Sequence, residues 1–334
     1  IDVVYTWVDG HDLEWVKKRN RELGNVDSIH IDDASDSRYV QHDELLYSLR
    51  SVEKNIPWVN KIYIVTDKQV PEWLKLDNPK IEIIDHTDIF RSEAALPMFN
   101  SACIELQLHR IPGLSEHFIY FNDDTFLGKK VGPSFFFDKK GNAKLWCVQN
   151  YGIESKEKIL DTSKLRTQNA YQNGIVNARK LVYEKFDFVG LNRPIHTCKP
   201  FQKSMLSELE GIFEEEYVTV LKNQFRTLGD IYFGALFMFY QQSKGIKTTI
   251  LKPYTKMKWR YKNPLSSKVN KKNYVYVPLN KSLKEVKEFC RIIRECSPVH
   301  LCINDGPGTS LEVKEYMLNF LEKKFPEPSS YELV

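Results

Sequence analysis

A short run of β-branched and aromatic residues that ends in aspartate occurs four times within the first 125 residues. It reads Val3-Val4-Tyr5-Thr6-Trp7-Val8-Asp9, then Ile62-Tyr63-Ile64-Val65-Thr66-Asp67, then Ile81-Glu82-Ile83-Ile84-Asp85, and last Phe118-Ile119-Tyr120-Phe121-Asn122-Asp123-Asp124. Near-continuous apolar runs of this length are strands buried on both faces. Helical stretches lie between most of them. Residues 43–54 place Leu45, Leu46, Leu49 and Val52 on one face, and residues 100–110 do the same with Cys103, Leu106 and Gln107 before Pro112-Gly113. Strand and helix in alternation predict an α/β fold with a mostly parallel central sheet and crossover helices.

In such sheets ligands bind beyond the carboxyl ends of the strands. The strand-end aspartates are therefore expected to face one crevice. Carboxylates gathered there repel one another unless a divalent cation, Mg2+ or Mn2+, is present, and the usual companion of that ion is a phosphate. Asp67 and Asp85 are read as turn or helix-cap residues. Asp123 and Asp124 are read as functional, because two adjacent acids at a buried strand end are costly without a counter-ion. No G-x-G-x-x-G and no GK[ST] follows any of these strands, which argues against a nicotinamide enzyme and a P-loop kinase. Folds that hold a nucleotide-sugar diphosphate by an acidic motif and a metal remain.

Hydrophobic residues make up 42% of the 334 and aromatics 13%, enough apolar surface to exclude a disordered or low-complexity chain. The longest apolar run, residues 231–240, is far short of the roughly 20 that span a bilayer. The chain begins at Ile1 inside a strand with no initiator Met, as expected of a trimmed sequence. Six scattered cysteines form no CxxC pair and are read as reduced thiols; Cys290, Cys296 and Cys302 with His300 fit no zinc spacing. Residues 151–177 are polar and read as an inserted loop and helix. Residues 203–224 read as one helix with Leu206, Leu209, Ile212 and Phe213 as its stripe, and residues 230–243 as a buried helix.

Between residues 252 and 272 stand eight bases and no acid: Lys252, Lys256, Lys258, Arg260, Lys262, Lys268, Lys271 and Lys272, interleaved with Tyr254, Trp259 and Tyr261. The stretch suits a polyanion or an anionic membrane surface, or is a solvated loop, and no nucleic-acid motif accompanies it. Lys plus Arg total 48 against 44 Asp plus Glu, so without these eight the balance is 40 − 44 = −4.

The sequence resembles the Stealth family of sugar-phosphate transferases. That family includes bacterial capsule polymerases that join sugars through phosphodiesters, and the animal enzyme that adds GlcNAc-phosphate to lysosomal glycoproteins. Four blocks carry the resemblance. The first is Ile1-Asp2-Val3-Val4-Tyr5-Thr6-Trp7-Val8-Asp9-Gly10. The second runs from Ser37-Arg38-Tyr39 through Asp43-Glu44-Leu45, Tyr47-Ser48-Leu49-Arg50-Ser51, Pro57-Trp58-Val59 and Ile64-Val65-Thr66-Asp67 to Asn122-Asp123-Asp124. The third is Arg193-Pro194-Ile195-His196 with Phe225-Arg226 and Asp230, and the fourth is Leu301-Cys302-Ile303-Asn304-Asp305. The absence of large inserted modules is similar to the compact bacterial members.

The resemblance implies a glycosyltransferase-A-like fold in one catalytic domain. Residues 1–150 would be the nucleotide-sugar core, 151–225 a helical insertion, 226–310 the completion of the site and 311–334 a C-terminal helix and tail. It implies transfer of sugar-1-phosphate from a nucleotide-sugar, such as UDP-GlcNAc, to an acceptor hydroxyl in capsule or cell-wall polysaccharide synthesis. A nucleoside monophosphate would leave. The acceptor would be an oligosaccharide or a phosphodiester polymer, and not a nucleic acid. The setting would be cytoplasmic or peripheral on the inner face of the membrane. Two alternatives stay open: a metal-dependent glycosyltransferase releasing the diphosphate, and a non-catalytic carbohydrate- or polyanion-binding protein.

Attack on a β-phosphorus needs positioning, cations near the phosphoryl oxygens and a base for the acceptor hydroxyl. On the matched positions, Asp123, Asp124, Asn304 and Asp305 are the hard oxygen donors expected to hold Mg2+ or Mn2+. Asp124 is also expected to be catalytic. Arg226 is expected as the phosphate clamp, with Arg50 and Arg38 behind it, because a guanidinium binds phosphate bidentately. Asp230, four residues on, is expected to orient Arg226 from the same helix face. His196 is the expected base. Thr6, Trp7 and Asp9 are expected at the substrate, with Trp7 stacking on the nucleobase or packing the core.

Overall fold

The four aspartate-ended runs become neighbouring strands of one sheet in the computed structural model, which describes residues 1–24, 39, 42–92, 95–149, 170–251, 269–270 and 273–333. The chain runs β1 (Asp2–Thr6), α1 (Leu13–Leu23), α2 (Glu44–Asn55), β2 (Ile62–Thr66), β3 (Ile81–Asp85), α3 (His86–Ile89), α4 (Ser101–Gln107), β4 (His117–Asn122) and β5 (Thr125–Leu127). It continues with β6 (Trp146–Gln149), α5 (Ala170–Phe186), β7 (Asn192–Pro194), β8 (Lys199–Gln202), α6 (Lys203–Ile212), α7 (Glu214–Val220) and α8 (Phe233–Ser243). Last come β9 (Thr249–Ile250), β10 (Val269–Asn270), β11 (Tyr274–Pro278), α9 (Leu283–Cys296), β12 (His300–Asn304) and α10 (Leu311–Lys324).

The first sheet has the order β3-β2-β1-β4-β8, with the first four strands parallel and β8 antiparallel. The chain leaves β1 for β2 and β3 on one side and returns to β4 on the other. β1 and β4 therefore flank the point where strand order reverses, which is where an open α/β sheet leaves a crevice. Thr6 and Asn122 are register partners at the carboxyl ends of these two strands. The main core lies on this sheet, with Val3, Val4, Ile62, Ile64, Phe118 and Ile119 fully buried. The expected α/β class with a mostly parallel central sheet is what forms.

Asp123 and Asp124 occupy the turn by which the chain leaves this sheet at β4 and enters a second one at β5. The second sheet has the order β10-β11-β12-β5 and its own core, including Val275, Val277, Leu301, Ile303 and Ile293. Helix α2 binds the two sheets together. Its apolar residues Leu45, Leu49 and Val52 enter the main core. A second buried stripe is polar and seals the open edge of β5. Ser48 Oγ donates to Thr125 O (2.6 Å), Asn55 Nδ2 to Leu127 O (2.8 Å), and Ser51 Oγ accepts from Leu127 N at 3.1 Å. An edge strand capped in this way satisfies its backbone groups without another strand. A third sheet, β7-β6-β9, carries the segment that leads to His196.

Several helices depart from the sequence pattern. The stretch expected as one helix over residues 203–224 breaks at Phe213 (φ −117°, ψ 38°). Phe213 is buried there, and Glu214, Glu215 and Glu216 restart the chain as the favourable acidic first turn of α7. Residues 226–230 are not helical; α8 begins only at Phe233. The basic stretch 252–272 lies outside the described residues apart from the backbone of β10, and so does 150–169 of the expected insertion. No described helix is long and apolar enough to cross a membrane.

Arg50, expected behind a phosphate clamp, does something else. Its guanidinium bonds Glu332 through Nε (2.8 Å) and Nη2 (2.6 Å), and Nη1 donates to Phe325 O, the C-cap of α10, at 3.0 Å. It ties α2 to the C-terminal segment. Burial lifts the Glu332 carboxyl, but the bonds from Arg50 and Ser329 outweigh it and hold the group below the usual range. We expect Arg50→Gln to cost about 2–3 kcal/mol near neutral pH, because it strands the buried Glu332 carboxylate. A lowered carboxyl stabilises the fold above its unfolded value and loses that contribution as pH falls. The gap between variant and wild type in urea unfolding should therefore narrow below about pH 4.3. A gap independent of pH would contradict the pairing.

Candidate active site

A cleft of about 910 Å³ opens at the carboxyl ends of β1 and β4. The first block of the sequence is shaped around its rim. At Gly10 a Cβ would clash with the carbonyl oxygen of Tyr39, so only glycine lets that backbone approach; Gly10 N donates to the same oxygen at 2.8 Å. Tyr39 packs on Trp15 with ring centroids 5.1 Å apart, and Trp15 meets Phe99 edge-on at 5.4 Å. These three rings form an aromatic wall of the cleft.

The opposite character prevails at the β4–β5 turn. Asp124 is the hub. Its Oδ2 lies 3.1 Å from His196 Nε2 and accepts from Asn304 Nδ2 at 3.0 Å and from Cys302 Sγ at 3.4 Å. Its carbonyl accepts from Ile303 N at 2.9 Å, which locks the turn onto β12. Burial alone would raise the Asp124 carboxyl. The His196 charge and the three side-chain bonds outweigh it and keep the group below the usual carboxylate range. Asp123 behaves in the opposite way. Burial, then the neighbouring charges of Asp124 and Glu44, push it well above its ordinary value. Glu44, the first residue of α2, is raised by burial and by Asp124. Asp305 lines the same corner, 3.5 Å from His42 Nε2 and 3.3 Å from Lys314 Nζ. Burial raises its carboxyl, but His42, Thr309, Gly306 N and Lys314 together bring it well below the usual range.

Seven carboxylates line the cleft among the described residues, against two arginines, Arg193 and Arg226. Crowding of Asp123, Asp124 and Glu44 is the strain that a divalent cation relieves, and their oxygens are the donors Mg2+ and Mn2+ prefer. The donor set therefore fits such an ion, which Asp123 and Asp124 would hold. Asn304 does not fit so directly. Its amide oxygen accepts from Tyr276 Oη at 2.8 Å and its nitrogen faces Asp124, so in this arrangement it orients the carboxylate.

Arg226 follows Phe225, whose ring stacks on Phe99 (5.1 Å between centroids, 15° between planes), and its Nη2 donates to Ser101 Oγ at 2.6 Å. Asp230 does not orient it. The Asp230 carboxylate instead closes a turn, accepting from Thr227 N (2.9 Å), Thr227 Oγ1 (3.0 Å), Asn100 Nδ2 (2.9 Å) and Asn223 Nδ2 (3.2 Å). The expected helix through 226–230 is absent, so the i,i+4 geometry behind that expectation never forms.

Thr6, Trp7, Asp123, Asp124, His196, Arg226, Asp230, Asn304 and Asp305 thus share one cleft. Asp9 does not line it: the carboxylate accepts from His11 N at 2.9 Å in the turn after β1. Arg50 is at the C-terminal segment, and Arg38 lies outside the described residues. Of the strand-end acids read as structural, Asp85 is the N-cap of α3 in a capping box with Asp88. Asp67 pairs with Lys18 and also lines the cleft.

Sequence reasoning missed four groups. Glu44 stands in the second block unassigned. Glu105 lines the cleft on the buried face of α4 and takes a 3.1 Å bond from Tyr120 Oη, which lies 2.8 Å from Thr6 Oγ1. Lys199 is a buried cation, with Nζ 5.9 Å from the ring centroids of Tyr120 and Tyr232. Cys302 was read as an ordinary buried thiol. An acid at position 105 inside an apolar helix stripe was the one available signal for the second group.

Protein-family models match three stretches of the chain. They match conserved region 1 of Stealth proteins at residues 1–27, region 2 at 38–145 and region 3 at 195–242, which together cover more than half of the chain. The chain belongs to the Stealth protein family. An exopolysaccharide phosphotransferase of Streptomyces coelicolor is 32% identical over 99% of this chain and 57% of its own length. The exopolysaccharide phosphotransferase CpsY of Mycobacterium tuberculosis is 33% identical over 100% of this chain and 58% of its own. The capsular polysaccharide phosphotransferase fcs1 of Haemophilus influenzae is 35% identical over 81% of this chain and 75% of its own. The chain thus spans little more than half the length of the first two. Among solved structures, a galactosyltransferase, LgtC, crystallised with donor and acceptor sugar analogs, aligns over 99% of this chain and 97% of its own at 12% identity, with a TM-score of 0.44.

Proposed function

We propose that this Stealth chain carries the catalytic centre of a sugar-phosphate transferase. It would move sugar-1-phosphate from a nucleotide-sugar to an acceptor sugar hydroxyl and form a phosphodiester in capsule or exopolysaccharide synthesis. One observation carries the reading: an imidazole, His196, held 3.1 Å from a partly buried carboxylate, Asp124, in the same cleft as Arg226. The names of the relatives support it.

His196 takes the proton of the acceptor hydroxyl, and Asp124, kept ionised by its three donors, holds the ring and stabilises the imidazolium. The acceptor oxygen bonds to the β-phosphorus as the bond to the bridging oxygen breaks, and a nucleoside monophosphate leaves. Arg226 and Arg193 counter charge on the phosphoryl oxygens. Asp123 and Asp124 would hold a divalent ion, which would supply Lewis-acid neutralisation of the diphosphate. Thr6 and Trp7, at the end of β1, face the donor. The stretch 252–272 is proposed to meet the anionic acceptor or an anionic membrane surface on the cytoplasmic side.

Incubation with a panel of UDP-sugars, an acceptor and Mg2+, read by mass, tests this. A released monophosphate, abolished by chelator, is the expected result. Release of diphosphate alone would establish the glycosyltransferase alternative. Ligand binding without turnover, indifferent to chelator, would point to a binding protein.

A further inference from the structure

Asp124 sits among donors of three different kinds. Its carboxylate oxygen, the imidazole nitrogen of His196 and the thiol sulfur of Cys302 all lie within 4.8 Å of one another. Three separate elements fix them. Asp124 is in the β4–β5 turn, His196 follows β7, and Cys302 on β12 is the register partner of Thr125, the residue after Asp124. An all-oxygen set suits Mg2+, whereas a carboxylate, imidazole and thiolate together suit a softer ion of the zinc class.

The distances support that assignment. A tetrahedral ion with bonds of about 2.1 Å to oxygen and nitrogen and about 2.3 Å to sulfur sets oxygen and nitrogen about 3.4 Å apart and oxygen and sulfur about 3.6 Å apart. The observed separations are 3.1 Å and 3.4 Å. Both lie within about 0.3 Å of the tetrahedral values, and the third pair, the His196 nitrogen and the Cys302 sulfur, lies within 4.8 Å. Asp124 and His196 line the cleft while Cys302 is fully buried, so an ion held by the three would be reached from the cleft.

We propose that Asp124, His196 and Cys302 form a binding site for a thiophilic divalent ion such as Zn2+, and that its occupation arrests transfer. On binding, Cys302 gives its proton to water and His196 Nε2 contributes a lone pair. His196 can then no longer accept the proton of an acceptor hydroxyl, and Asp124 is withdrawn from it. The arrest rests on the function proposed above; the binding does not.

Co2+ titration of the metal-free protein separates the two. Wild type is expected to develop the near-ultraviolet thiolate-to-cobalt absorption of a tetrahedral site, and Zn2+ to displace it. Cys302→Ser should lose that band. Loss of a direct ligand should weaken Zn2+ inhibition by about 10-fold or more, each variant being compared with its own untreated rate. Cys198→Ser is the control, because Cys198 Sγ lies 3.4 Å from His300 Nδ1 in the other nearby sulfur–imidazole pair. It should keep both the band and the inhibition. No thiolate band in wild type, or a band lost in Cys198→Ser and kept in Cys302→Ser, overturns the site. A normal band with transfer untouched by Zn2+ overturns the arrest. Absence of any transfer activity would strike the function proposal and leave the cobalt result to decide the site.

Discussion

Asp124→Asn is expected to lower transfer by about 10³-fold or more while the fold survives. The side chain keeps its shape, so the packing of the β4–β5 turn is undisturbed. The chemistry does not survive. Oδ2 of Asp124 now meets His196 Nε2, Asn304 Nδ2 and Cys302 Sγ. An amide nitrogen placed there would face donors, and an amide oxygen placed there would carry no charge to balance an imidazolium. The orientation of His196 and the carboxylate proposed to hold the metal are lost together. The loss should fall on kcat more than on the donor KM, because the interaction is strongest when charge develops. Asn304→Ala, which removes one orienting bond, should cost less, about 10–100-fold. Unfolding midpoint and secondary structure, measured alongside, guard against a trivial loss of fold. Wild-type rates in Asp124→Asn would refute the assignment of this turn as the reaction centre.

The end of β4 was readable in the sequence for a physical reason. A strand buried on both faces must be apolar, so the point where acids begin marks its exit into the cleft, as Asn122-Asp123-Asp124 does. Local chemistry was equally legible: Asp85 caps α3 as its position after a strand predicts. What failed depended on partners remote in the chain or on a helix that never forms. Arg50 finds Glu332, 282 residues away, and no spacing rule reaches that far. Asp230 was read through helical periodicity, yet Thr227 offers both its amide and its hydroxyl to that carboxylate and a turn wins. Phe213 stays buried as its place in the stripe predicts, packed edge-on to Phe186 of α5, but its backbone leaves the helical region and splits the stretch into α6 and α7. Glu105 and Lys199 are ionisable groups in an apolar setting, and only the three-dimensional fold reveals that each shares the space around Tyr120.

Arg226→Ala is the second large effect, an expected loss of about 10³-fold in kcat with the donor still bound. The argument begins with what fixes the guanidinium. Phe225 stacks on Phe99, which turns the next residue into the cleft, and Ser101 Oγ takes one N–H at 2.6 Å. The remaining N–H groups are available to phosphoryl oxygens in a fork that lysine lacks, so Arg226→Lys should recover only part of the rate. Ser101→Ala leaves the charge but frees the fork, and a loss of about 10-fold is expected, falling on kcat more than on KM. Added guanidinium should restore part of the Arg226→Ala rate and none of the Asp124→Asn rate. There is a cost on the protein side as well. Burial already raises the Glu105 carboxyl, and Lys199, then Arg226, hold it down. Without Arg226 that group should rise further, which a shifted acid limb in the pH–rate profile would register. A rate within a few-fold of wild type in Arg226→Ala would move the clamp elsewhere, and Arg193, the other arginine of the cleft, would be the residue to replace next.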